Sequence, residues 1–317
     1  MDILDSSGVE KAILGFLEDR KNAALFAGAG VGVRAGLPDW MTLMEHLSEV
    51  AGRYHKLTSE LILDRAKNGH FTGAATIYKS AREIPSGVMF TEVAKRFNKI
   101  PDPDKLNALM SLPFSAVFTS NYDKSLHHAF AKVVGSAPDV VELDDATMRT
   151  ANFKTDFYIA RLHGRAEVPE SMVLDDQDYR DLFENRPYME FVTHILTRYS
   201  CIFLGFSFMD PAIRFVLEAI EKRLTPNYPE SHLALLPKLD NSPLASELTK
   251  FNISVLFYDP SGNHEALWQG IAQASRKFSP TQKKIKPEAN LYISTIHRYL
   301  ARTYAQAKVN EIGRAHV

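Results

Sequence analysis

Cysteine is almost missing from this sequence: of 317 residues only Cys201 carries a thiol. An internal disulfide is excluded. Cys201 sits in the apolar run Cys201-Ile202-Phe203-Leu204 and reads as a small buried hydrophobe. An excess of either charge is missing too. Lysine and arginine total 37 against 38 aspartates and glutamates, a formal net charge of −1. That balance gives no global electrostatic reason to bind nucleic acid or an anionic membrane. No apolar run approaches the roughly 20 residues that cross a bilayer. No basic stretch followed by an apolar core opens the chain as a signal peptide would, so a cytoplasmic protein is expected. Three chemical signatures are missing as well. No Gly-Lys-Ser/Thr tripeptide closes a phosphate loop of the ATPase kind, and His264-Glu265 lacks the second histidine of a zinc-protease helix. The adjacent His127 and His128 would point in different directions on a helix, so they cannot chelate one metal. Metal ligation has no support.

What is present is a chain long enough for one large or two moderate domains, 45% hydrophobic and 24% charged. Short apolar runs alternate with amphipathic stretches, the pattern of a doubly wound, Rossmann-like parallel sheet wrapped by helices. Strands are expected at 23–27, 114–119, 138–143, 157–162, 200–206, 232–236 and 253–258. The first helix is read from a capping box at Ser7 and Glu10, with Val9, Ile13, Phe16 and Leu17 on one face. From about 42 to 100 no convincing strand occurs. A second capping box at Thr42 and Glu45 opens this stretch, and Phe90, Val93, Ala94 and Phe97 close it at helical spacing, so a helical module is inserted after the first strand. Asp210-Pro211 has the form of a helix start. The basic run around Ser279-Pro280 reads as a solvated linker, with a phosphate-binding patch as the alternative. Beyond it Leu291, Ile296, Tyr299, Leu300 and Tyr304 form a helical stripe that either packs back or mediates assembly.

The stretch from Leu25 to Trp40 says most about chemistry. An apolar run ends in Gly28-Ala29-Gly30-Val31-Gly32 and then Gly36-Leu37-Pro38-Asp39-Trp40. Glycines there let backbone approach a ligand closely and expose N–H groups to phosphates. The dinucleotide fingerprint of dehydrogenases fails, because its third glycine position is Val33 and the region 20 residues on has helical spacing. Three further strand ends follow: Phe118-Thr119-Ser120-Asn121-Tyr122-Asp123, Leu162-His163-Gly164, and Gly205-Phe206-Ser207 before Asp210-Pro211. Each has a plain reading: Asn121 and Asp123 as helix caps, His163 as a turn histidine, Gly205-Phe-Ser207 as a strand end. A serine nucleophile elbow is excluded because position 209 is Met. All four segments fall where strands stop, and in an open parallel sheet ligands bind at those carboxyl ends.

In that order, over roughly residues 24 to 211, the four segments resemble the sirtuin family, with Ser120 for its glutamine and Tyr122 for its isoleucine. The resemblance implies an α/β sirtuin-like NAD-binding domain over 1–287 with the helical insertion at about 42–100, and a C-terminal helix over 288–317. By resemblance Asn121 and His163 are the catalytic pair: Asn121 orders the ribose and a water, and His163 accepts a proton. Asp123 would bind the nicotinamide carboxamide. Gly28, Ala29 and Gly30 would cradle the diphosphate with Ser207 in support, and Ser120 and Gly205 complete the nucleotide contacts. Asp39 and Trp40 would lie on the nicotinamide side, Trp40 replacing the usual phenylalanine. Deacylating sirtuins hold a structural zinc on two Cys-x-x-Cys pairs, which one cysteine cannot supply. The chain looks instead like the sirtuin-like NAD hydrolases of bacterial antiphage defence, with NAD as substrate and no metal. A protein deacylase and a non-catalytic NAD or ADP-ribose sensor remain as alternatives. Only about 50 residues follow position 265, so a homo-oligomer controlled by a separate partner is expected, by analogy a HerA-type hexameric ATPase. A chelator such as EDTA is expected to leave melting temperature and activity unchanged. Stoichiometric zinc by elemental analysis, lost together with stability, would overturn the argument from cysteine count.

Overall fold

A computed structural model describes residues 3–85, 87–99, 102–144, 147–148, 156–206, 208, 213–214, 217–218, 232–238 and 243–278. Its frame is seven parallel strands: β1 (Ala23–Ala27), β2 (Ala116–Thr119), β3 (Asp139–Val141), β4 (Tyr158–Arg161), β5 (Ser200–Leu204), β6 (His232–Pro237) and β7 (Ile253–Tyr258). They lie in the order β3-β4-β2-β1-β5-β6-β7. The central strands read as unbroken apolar runs because both faces are covered, as a parallel sheet requires. Side chains alternate between two cores. Phe26, Phe118, Ala160, Phe203 and Ala234 face one layer, while Leu25, Val117, Ile159, Ile202 and Leu235 face the other. β1 sits in the middle, with β2 on one side and β5 on the other. The direction in which the chain adds strands therefore reverses at β1, and a crevice opens at its carboxyl end.

Besides the short α2 (Ala29–Arg34) and α7 (Asn107–Ser111), four longer helices separate β1 from β2: α3 (Trp40–Gly52), α4 (Lys56–Lys67), α5 (Phe71–Ser80) and α6 (Val88–Asn98). They close over a core of their own that includes Leu43, Leu47, Val50, Ile62, Ala74, Tyr78 and Val93. That core also takes in Tyr122, Ala166, Met172 and Leu174, from the loops after β2 and β4. Phe97 packs edge-on against Tyr122 with ring centroids 5.2 Å apart. Asn98 Nδ2 donates to the Ala166 carbonyl at 3.1 Å. The helices are thus seated on the carboxyl edge of the sheet rather than on its faces.

The helix starts differ from the capping boxes read in the sequence. In α1 (Ser6–Glu18) the cap is Asp5, whose side chain accepts from Gly8 N at 2.7 Å. In α3 the cap is Asp39, accepting from Thr42 N at 2.7 Å. Ser7 and Thr42 already lie inside the first turn, where a side-chain oxygen has no exposed N–H ahead of it to accept from. The expected helix start at Asp210-Pro211 and the stripe from Leu291 to Tyr304 lie outside the described residues.

The last described helix (Ser261–Ser275) packs across α1 with Leu267 and Ile271 in the same core layer as Val9 and Ile13. At the crossing, a Cβ added to Gly270 would lie 2.6 Å from Val9 Cβ and 2.7 Å from the Ser6 carbonyl oxygen. Gly270→Ala should therefore force the helices apart and cost about 1–3 kcal/mol, the usual range for overpacking. A urea denaturation midpoint equal to that of the parent protein would show that the helices can separate without penalty.

Candidate active site

Strand register brings the four sequence segments to one level. Ala27, the last residue of β1, pairs with Thr119 of β2 and Leu204 of β5, and Thr119 pairs with Arg161 of β4. Gly28, Ser120, Leu162 and Gly205 consequently leave the sheet together. A cavity of about 560 Å³ opens above them. Ala29, Gly30, Asp39, Trp40, Ser120, Asn121, Asp123, His163 and Gly205 all line it. Gly28 lies behind this wall, against Phe206, and Ser207 is outside the described residues.

The floor depends on close backbone approach. Gly28 N donates to the Leu204 carbonyl and Gly30 N to the Gly205 carbonyl, each at 2.9 Å. These two N–H groups hold the loop to β5, while Ala29, Gly30 and Gly32 line the cavity. Gly205 has φ of +61°, a conformation that favours glycine. A Cβ on Gly30 would lie 2.8 Å from Gly205 Cα.

The β2 loop is tied to this floor from the other side. Thr119 Oγ1 donates to the Ala27 carbonyl at 2.9 Å and accepts from Asn121 N at 3.1 Å. Asn121 Nδ2 donates to the Gly28 carbonyl at 3.0 Å, which fixes the amide plane. Asp123 divides its two oxygens. Oδ1 accepts from the backbone N–H and the hydroxyl of Ser125, at the start of α8 (Ser125–Val134). Oδ2 is buried and has no hydrogen-bond partner among the described residues. Burial pushes the Asp123 carboxyl above the usual carboxylate range, with the Ser125 hydrogen bonds pulling the other way.

His163 follows β4 and is only 2% exposed. Its carbonyl accepts from Val173 N at 3.0 Å, and its ring meets Tyr179 edge-on, 5.6 Å between centroids and 87° between planes. Behind both loops Arg161, also buried, pairs with Glu142 at 2.8 Å and Glu167 at 2.9 Å. Glu167 in turn meets Lys124 at 2.9 Å. This ion-pair chain links the residue after Asp123 to the loop after His163, and its two carboxylates together offset the desolvation of the Arg161 guanidinium, the most deeply buried of its members.

The upper wall belongs to the helical module. Asp39 is engaged as the cap of α3, and Trp40 stacks on Phe71 at 6.0 Å. His70, Phe71 and Thr72 at the start of α5, Phe97 of α6 and Tyr179 of α9 (Asp176–Glu184) also line the cavity. Sequence reasoning missed these. Each is an ordinary position in an amphipathic helix or loop, with no local signal that its face would cover a cavity. Among the described residues no cluster of three or more His, Cys, Asp or Glu side chains could hold a metal.

Because Asp123 is protonated more readily in the folded chain than in the unfolded one, its charge costs stability above the ordinary carboxylate range, and stability falls as pH rises. Asp123→Asn, which removes the buried charge, should raise the stability of the ligand-free protein at neutral pH. The gain should shrink as pH is lowered toward about 4, the unfolded carboxyl value. Thermal melts from pH 4 to 8 test this, and a gain independent of pH would remove Asp123 ionisation as its source.

Residues 115–256 match the model of the SIR2-like domain. The NAD(+) hydrolase ThsA of Bacillus cereus (strain MSX-D12) is 24% identical over 254 residues, covering 74% of this chain and 51% of that protein. Defense-associated sirtuin 2 of Bacillus subtilis is 23% identical over 270 residues, covering 82% of this chain and 24% of that protein. The chain thus spans about half or less of the length of these curated relatives. A solved Sir2 variant with deacetylated p53 peptide and 3′-O-acetyl ADP ribose aligns over 84% of this chain and 96% of that chain, at a TM-score of 0.41 and 15% identity. The stretch 115–256 that matches the SIR2-like domain model is preceded by the β1 loop and the helical module, which line the same cavity.

Proposed function

We propose that this chain hydrolyses NAD at the bond between nicotinamide and ribose, giving nicotinamide and ADP-ribose, and that it does so as an NAD-depleting effector of antiphage defence. The observation that carries this reading is the convergence of Asn121, Asp123 and His163 in one cavity with the small-residue loop of Ala29 and Gly30. The likeness to NAD(+) hydrolases named ThsA supports it.

Nicotinamide in NAD is a cationic leaving group that departs neutral, so no acid is needed to protonate it. The barrier lies in developing positive charge on the ribose, an oxocarbenium-like transition state of the kind met in glycoside hydrolysis. The residues here suit that demand. Asp123 keeps Oδ2 for the carboxamide, which fixes the plane of the leaving group. Asn121, its amide anchored on Gly28, holds the ribose and a water in line. Water supplies the oxygen that bonds to the ribose carbon as the nicotinamide bond breaks. His163 takes a proton from that water or from a ribose hydroxyl and passes it to solvent. Trp40 and Phe71 shield the nicotinamide end, and the Ala29 loop receives the diphosphate with Ser207 in support. Within the same reading the chain acts as a homo-oligomer, with a HerA-type hexameric ATPase as the partner that holds it in check.

Incubating the purified protein with NAD, alone and with candidate partners, and resolving nicotinamide by chromatography tests the proposal. His163→Ala should lower turnover by about 10²–10⁴-fold, the contribution of one general base, while circular dichroism stays unchanged. Retention of more than about a tenth of the activity, judged against that same range, would remove His163 from the mechanism. Consumption of NAD only together with an acetyl-lysine peptide would point to deacylation instead.

A further inference from the structure

One face of α5 runs from the cavity to the helix that backs His163. Thr72 lines the cavity at the start of this face. One turn on, Thr76 Oγ1 accepts from Asp176 N at 3.2 Å, at the first residue of α9. Lys79, next on the same face, reaches both carboxylates of the α9 capping box, Asp178 at 2.6 Å and Asp175 at 3.3 Å. The Asp175 side chain is only 6% exposed, and Lys79 and Asp178 are 29% and 18% exposed. These pairs are therefore partly desolvated, unlike exposed surface pairs, which contribute little. The carboxylates they neutralise are themselves occupied in starting α9: Asp175 accepts from Asp178 N, and Asp178 accepts from Leu174 N and Asp175 N. The residue after Asp178 is Tyr179, whose ring stands edge-on against His163.

We propose that Lys79 is a positioning residue: by clamping Asp175 and Asp178 it sets the start of α9, and through Tyr179 it sets the ring of His163, so that the helical module and the proton acceptor move as one unit. Without the cation the two carboxylates, adjacent and partly buried, repel one another. α9 then shifts at its first turn, and Tyr179 withdraws from the imidazole. Lys79 itself lies outside the cavity lining. Its loss acts on the placement of the reacting groups rather than on ligand contact. A displacement of about 1 Å in a reacting group can cost on the order of 10²-fold in rate.

This inference rests on the proposed role of His163 in NAD hydrolysis, and its test has an arm that does not need turnover. Lys79→Gln and Lys79→Arg are compared with the parent chain. In the ligand-free protein, selectively labelled His and Tyr rings should show a nuclear Overhauser contact between Tyr179 and His163 that is lost in Lys79→Gln and kept in Lys79→Arg. With NAD, Lys79→Gln should lower kcat by about 10- to 100-fold, within the cost of misplacement, leave KM within about twofold, and recover most of kcat in Lys79→Arg. A Lys79→Gln protein that melts lower but keeps both the ring contact and kcat would overturn the proposal, leaving Lys79 a structural residue only. If the parent chain does not hydrolyse NAD, the proposed reaction fails by itself, and the ring contact alone decides whether Lys79 positions His163.

Discussion

The site depends on how closely the loop after β1 approaches the end of β5. Gly30 and Gly205 meet backbone to backbone with no space for a Cβ, and the hydrogen bonds from Gly28 N and Gly30 N carry the β1–β5 ladder past the last strand residue. That contact lets a loop of small residues lie flat across the sheet edge, level with Ser120 and with Leu162. A side chain at either glycine would lift the loop. Asn121, anchored on the Gly28 carbonyl, would lift with it.

Above this floor the two walls differ in kind. One wall is the end of a parallel sheet whose strands are buried on both faces, so its loops are held by ladder hydrogen bonds and by the Arg161 ion-pair chain. The other is a set of helices with a separate core, joined to the sheet end through Tyr122, Ala166, Met172 and the Lys79 clamp. Tyr122 belongs to both walls. Its hydroxyl donates to the Val173 carbonyl at 2.6 Å, while its ring faces Phe97. One side chain thus joins the helical wall to the loops that carry Asn121 and His163. Asp123 sits at the seam with one carboxylate oxygen buried and without a partner among the described residues. Proteins relax the rule that buried polar groups are satisfied where a ligand completes the pairing, and Asp123 fits that pattern.

The strands were legible in the sequence because burial on both faces leaves a continuous apolar run. All seven expected strands occur, though several are shorter than their runs: Ala116–Thr119 within 114–119, and Ser200–Leu204 within 200–206. The runs overshoot because apolar residues continue into the loops, where Phe114 and Phe206 still pack in the core. Helix starts were harder to read. Asp5 and Asp39 cap α1 and α3, whereas the serine or threonine with a glutamate three residues on suggested later starts. Several residues compete for a cap within one turn, and backbone direction decides among them. Asp123 shows that two readings of one residue need not exclude each other, since one oxygen serves the turn before α8 while the other is left over.

The residues at the strand ends and their chemical types were determined by the sequence alone. Glycines, an amide, a carboxylate and an imidazole follow apolar runs, and a parallel sheet puts such ends on one edge. Only the tertiary structure decided what faces them. Tyr179, Phe71, Thr72 and Lys79 lie on helices whose apolar periodicity is the same whether they cover a core or a cavity. Local spacing records which face of a helix is buried. It holds no record of what that face is buried against, because long-range packing is set by the sheet order and by where the inserted helices come to rest.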